Sequence, residues 1–159
     1  MEECLSRIAE QDPAIQSFVA LREDAALEEA RELDAMTSRG PLHGIPFAVK
    51  DIFDTASLPT EYNSELYRGH QAEEDAQVVT LLRQAGAILL GKVSTVEFAG
   101  MGNLPSTRNP HHLAHSPGGS SSGSGAAVGG GMVPLAIGSQ TGGSTIRPAA
   151  YCGAVGFKP

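Results

Sequence analysis

Residues 116–148 constrain the fold more than any other stretch of this chain. They read S-P-G-G-S-S-S-G-S-G-A-A-V-G-G-G-M-V-P-L-A-I-G-S-Q-T-G-G-S-T-I-R-P. Gly- and Ser-rich runs commonly serve as linkers. This one carries Ala126, Ala127 and Val128 in its body and runs directly into an apolar segment, 133–137. A helix over 121–132 built from such small residues is weak alone, so close packing must hold it. Two G-G-S units end at Ser120 and Ser144. Glycines at this density let backbone N–H groups converge on a small anionic centre. Hydroxyls set among such donors are what acyl transfer needs.

Around this run the pattern alternates. Short helices are expected at 2–9, where Asp12-Pro13 then breaks the chain, and at 24–36, where Leu27, Ala30 and Leu33 recur at helical steps. Segment 15–21 reads as a strand, and 37–44 as a turn-rich connector. A strand is expected at 47–50, a helix at 75–85 with Asp75 favouring its start, and a buried strand at 87–90. Ser94-Thr95-Val96-Glu97 matches a capping box, which predicts a helix start. Residues 101–116 read as a long loop, 133–137 and 154–158 as strands. Strands alternating with helices imply an α/β fold, a mixed and mostly parallel sheet flanked by helices.

Several ordered motifs resemble the amidase signature family of Ser-cisSer-Lys hydrolases. They are G-I-P-F-A-V-K-D at 44–51, D-A-Q-V-V at 75–79, A-G-A-I-L-L-G-K at 85–92, S-P-G-G-S-S-S-G-S at 116–124, T-G-G-S at 141–144 and A-V-G-F-K-P at 154–159. The resemblance covers nearly the whole chain from about Leu5 onward. It implies that Ser144 is the nucleophile, that Ser120 follows a cis peptide bond and relays the proton, and that Lys50 is the final base. Backbone N–H groups of Thr141, Gly142, Gly143 and Ser144 would form the oxyanion hole. Gly119, Ser121, Gln140 and Arg147 would support the site, Ser121 by orienting Ser120. Arg147 stands one position later than in the commoner form G-G-S-I-R, a departure that bears on subfamily more than on chemistry. Lys50 must be neutral to accept a proton, and burial after the apolar run 45–49 would lower its proton affinity. Strand alternation should point Asp51 away from it.

The resemblance implies hydrolysis of a carboxylic amide C–N bond through an acyl-enzyme, with no metal or cofactor. Esters and carbamates could enter the same chemistry. The loop at 106–117 and the form Q-T-G-G-S-T-I-R favour stand-alone amidases over the amidotransferase subunits that act on charged tRNA. Family members run longer, so the chain reads as one incomplete catalytic domain, 1–159, lacking the half that follows the motifs. Exposed sheet edges would then invite a second copy or a complementing fragment. An inactive module that kept the motifs by descent is the competing reading.

Rival sites are weaker. Gly118 and Gly123 match the spacing of a phosphate-binding loop, but Ser124 stands where lysine is required. Residues 119–123 match G-x-S-x-G, yet no strand precedes them. His111, His112 and His115 lack a further ligand and read as a polar loop. Lys92 is a rival base with a structural place in the motif. Asp54 and Asp75 make a weak carboxylate pair, and Cys152 reads as a buried thiol. A net charge of −7 and scattered basic residues disfavour nucleic acid. No run of about 18 apolar residues suggests a membrane span. Two cysteines suit a reducing cytoplasm.

Overall fold

The computed structural model describes residues 1–100 and 102–159. They form helix α1 (Glu2–Ile15), strand β1 (Phe18–Leu21), α2 (Glu23–Asp34), β2 (Pro46–Lys50), α3 (Gln77–Gln84), β3 (Ile88–Val93), α4 (Ser122–Gly129), β4 (Leu135–Ile137) and α5 (Ile146–Tyr151). The sheet order is β1-β3-β2-β4. β2 runs parallel to both neighbours, and β1 is antiparallel to β3. The expected mixed, mostly parallel sheet flanked by helices is therefore what forms. No helix among the described residues is long and apolar enough to cross a membrane.

Two cores cover the two faces of the sheet. One gathers Ala48, Ile88, Leu90 and Val93 against α1, α2 and α4. The other gathers Phe47, Val49 and Leu89 against α3. An irregularity in the β2–β3 pairing makes Leu90 an extra residue: Phe47 pairs with Leu89, but Ala48 pairs with Gly91. Such a bulge reverses the parity of everything beyond it. Lys92 accordingly pairs with Val49 and lies on the α3 face. Lys50 pairs with Val93 and lies on the α4 face.

Helix α4 is buried over all of residues 122–127. A Cβ at Gly123 would collide with the backbone nitrogen of Ser94, and one at Gly125 would stand 2.8 Å from Pro148. The small residues let the backbone approach its neighbours closely, which is how a helix of poor propensity persists.

Local expectations fail where tertiary contacts outweigh sequence signals. Pro13 does not end α1, which continues to Ile15. Ile8 and Ile15 bury on its inner side. The exit is tied by Asp12, whose carboxylate accepts from the N–H groups of Ser17 (2.7 Å) and Phe18 (3.1 Å). The Ser94 capping box starts no α-helix, only a single 3₁₀ turn at Glu97–Ala99. Ser94 Oγ is taken by Thr107, and the Glu97 carboxylate by Asn103. Asp75 does not cap α3. It accepts from Ala56 N–H and pairs with Arg83. Helix α5 was not expected, and residues 154–158, expected as a strand, form none. Within the expected loop at 101–116, Met101 lies outside the described residues.

Candidate active site

Parallel pairing brings the C-terminal ends of β2, β3 and β4 to one end of the sheet, the usual place for a site in such folds. Lys50 ends β2 and is fully buried. Its Nζ lies 2.8 Å from Ser120 Oγ and 2.8 Å from Ser139 Oγ. Ser120 sits just before α4, after a cis peptide bond at Gly119–Ser120. Burial alone pushes the Lys50 ammonium down to about 8. A lysine so placed is substantially neutral at mildly alkaline pH.

Ser144 reaches this group through the main chain. Its carbonyl accepts from Ser121 N–H at 3.1 Å. Among the described residues, no hydrogen bond joins the hydroxyls of Ser144 and Ser120. The N–H groups of Thr141, Gly142, Gly143 and Ser144 donate to no protein acceptor among the described residues. Gly143 has φ +103, a conformation that side chains rarely adopt. Arg147 ties this turn to the other serine loop. Its guanidinium donates to the carbonyls of Gly142 (2.9 Å) and Gly119 (3.2 Å). Gln140 Oε1 accepts the N–H groups of Thr145 and Ile146, both at 3.0 Å, and so caps the start of α5.

Ser121 departs from its expected role. Its hydroxyl exchanges hydrogen bonds with the main chain of Ser139, donating at 3.2 Å and accepting at 3.2 Å. It thus orients Ser139 rather than Ser120. Ser139 itself went unread in the sequence. The pairing Val49–Ile137 sets residue 138 level with Lys50, so the polar residue after it meets the amine. A polar side chain just past a strand parallel to that of the lysine was the available signal.

The rivals fall elsewhere. Lys92 Nζ is fully occupied by Asp51 (3.1 Å), Phe53 O (2.8 Å) and Thr60 Oγ1 (2.5 Å) on the opposite face. Burial lowers its proton affinity while Asp51 raises it, which distinguishes it from Lys50. Asp51 indeed turns away from Lys50. Asp54 accepts from the Tyr62 hydroxyl and Asp75 pairs with Arg83, so the two form no working pair. Burial pushes the Cys152 thiol up to about 11, leaving it a poor nucleophile. His111 contacts Cys152 O at 2.8 Å, and the rings of His112 and His115 touch each other at 4.4 Å.

The amidase family model matches residues 1–159. The chain belongs to the amidase family. It is 46% identical to a glutamyl-tRNA(Gln) amidotransferase subunit of Symbiobacterium thermophilum, across 99% of this chain and 34% of that protein. Among solved structures, native peptide amidase from Stenotrophomonas maltophilia matches with TM-score 0.85 and 40% identity, over 92% of this chain and 33% of that one. A chain of a vestigial complex related to the origin of an s-triazine catabolic enzyme matches with TM-score 0.89 and 39% identity, over 96% and 35%. This amidase chain thus spans about a third of the length of the relatives it matches.

Proposed function

We propose that the site hydrolyses carboxylic amide C–N bonds through an acyl-enzyme on Ser144. The 2.8 Å contact between buried Lys50 Nζ and Ser120 Oγ carries this reading. Ser144 Oγ attacks the carbonyl carbon as Ser120 takes its proton and passes its own to neutral Lys50. The C–N bond then breaks, and the proton returns through Ser120 to the departing amine. Water repeats the sequence to release the acid. The unbonded N–H groups of 141–144 are suited to hold the carbonyl oxygen as it gains charge. Esters and carbamates present the same acyl carbon and fit the same chemistry.

A fluorophosphonate tests this reading directly. It should add one adduct to the intact mass, mapped by peptide digestion to Ser144. A well-folded chain that remains unlabelled, or labels elsewhere, would sink the proposal. Ser139→Ala removes one of the two hydroxyls on Lys50 Nζ. Labelling should then slow by roughly 2- to 12-fold, the value of one hydrogen bond of about 0.5–1.5 kcal/mol.

One observation favours a second reading, that the chain works as an assembly module. β4 is an edge strand, Val155 is 98% exposed and Phe157 77% exposed. A groove of about 290 Å³ runs between β4, α4, α5 and this tail. A second copy or a complementing segment could cover those surfaces.

A further inference from the structure

The sheet buries two lysines, Lys50 and Lys92, and the chemistry above uses only the first. Lys92 is fully buried on the α3 face, and Asp51 beside it is 3% exposed. Asp51 directly follows Lys50, the amine that must be neutral to accept a proton. A buried carboxylate so near an amine favours the charged ammonium. Its presence beside the base therefore calls for a counterweight.

Hydrogen bonding fixes the charge of Lys92. Its Nζ lies 2.8 Å from Phe53 O, 2.5 Å from Thr60 Oγ1 and 3.1 Å from Asp51 Oδ1. The Thr60 hydroxyl donates its own proton to Phe53 O at 3.2 Å, so toward Lys92 it can only accept. All three partners are acceptors, and an amine that donates three hydrogens is an ammonium. Asp51, whose carboxylate also accepts from Glu61 N–H at 3.2 Å, is the matching anion. Lys50 differs in kind. Its partners are the hydroxyls of Ser120 and Ser139, which can donate as well as accept and so suit a neutral amine.

The other charges nearby are engaged elsewhere. Among the described residues, α4 and β4, which pack around Lys50, carry no ionisable side chain. On α5, Arg147 donates to the carbonyls of Gly119 and Gly142. On α1, against the same core, Asp12 is held by Ser17 and Phe18, and Arg7 pairs with Glu3. Around the buried pair stand the carboxylates of Asp54, Glu61 and Asp75. Arg83 of α3 pairs with Asp75, and Arg22 pairs with Glu29 of α2. Lys92 is the cation in contact with Asp51. With that pair intact, burial is the cause of the lowered proton affinity of Lys50.

We propose that Lys92 tunes the base from the opposite face of the sheet: by cancelling the charge of Asp51, it leaves Lys50 free to be neutral. Lys92 touches no reacting atom, so it is a positioning residue that acts through Asp51. This rests on the reading of Lys50 as the final proton acceptor. A buried site transmits such fields well, and salt screens them little. Removing Lys92 leaves a net negative charge beside Lys50 and raises its proton affinity. Removing the charge of Asp51 leaves a positive one and lowers it. Removing both restores the balance. Loss of packing has no reason to act with opposite signs at a third residue.

The chain has three lysines, Lys50, Lys92 and Lys158. With carbon-13 at lysine Cε, NMR follows each amine through its titration, and the signal lost in Lys50→Met identifies Lys50. The Lys50 midpoint should rise by roughly 0.5–1 pH unit in Lys92→Met, fall by a similar amount in Asp51→Asn, and return to the native value in Asp51→Asn/Lys92→Met. If Lys92→Met does not fold, the isosteric Asp51→Asn and the uncharged double variant decide the question. No shift in the single variants, shifts of the same sign, or a double variant that stays displaced would overturn the proposal. Fluorophosphonate labelling of the native chain separates the two readings. Labelling of Ser144 without these shifts removes the tuning and keeps the serine chemistry; the shifts without labelling do the reverse.

Discussion

Replacing Lys50 with methionine should slow fluorophosphonate labelling of Ser144 by on the order of 10²–10⁴-fold, the usual contribution of a positioned base. The variant keeps a side chain of similar length in a fully buried site, so the loss reports on the amine. In the native chain, the labelling rate should climb about tenfold per pH unit and level off above about 8, where burial holds the Lys50 ammonium. The Lys50→Met chain should lose that inflection. An inflection near 8 that survived the substitution would assign the base to another group. The substitution should raise stability even as it slows labelling. The proton affinity of Lys50 is lower in the folded chain than the ordinary 10.5. The unfolded chain therefore binds more protons between about 8 and 10.5, and stability rises with pH across that window. That gap corresponds to on the order of 3 kcal/mol against the charged form. At pH 7 the methionine variant should thus unfold at higher urea than the native chain.

Lys92→Met should show the reverse pattern, a loss of stability of about 3–5 kcal/mol. Lys92 is fully buried and Asp51 is 3% exposed, and they pair at 3.1 Å. Without the ammonium, the Asp51 carboxylate stays buried with, among the described residues, only Glu61 N–H as donor, at 3.2 Å. The urea midpoint should fall sharply. The double variant Asp51→Asn/Lys92→Met should recover most of the loss, because an unpaired charge is what costs stability. A midpoint equal to that of the native chain would show that the pair contributes nothing. Whatever fraction of Lys92→Met remains folded should still label at Ser144.

The sheet was legible where apolar runs were unbroken. β2 and β3 each start within one residue of the expected position, although β3 runs on through Gly91 to Val93. Errors arose where one residue carried two signals. Pro13 reads as a stop, yet Asp12 before it ties the turn and two isoleucines bury alongside. Ser94 and Glu97 have the spacing of a cap, but each side chain is engaged by a distant segment that spacing does not reveal. Helix α5 is six residues long with Pro148 inside it, too short to show a period. In the site, the motifs pointed to Lys50 and Ser120, and the structure brings those side chains together. The role of Ser139 depends on the pairing of β4 with β2, which no local pattern encodes.

The extra residue at Leu90 has an effect out of proportion to its size. Simple alternation from Ile88 would put Lys92 on the same side as Lys50, and two amines would then crowd beneath one pair of hydroxyls. One irregular rung instead sorts two identical functional groups into separate environments. Among the described residues, one is left without a counter-ion, and the other is neutralised by a carboxylate on the far side.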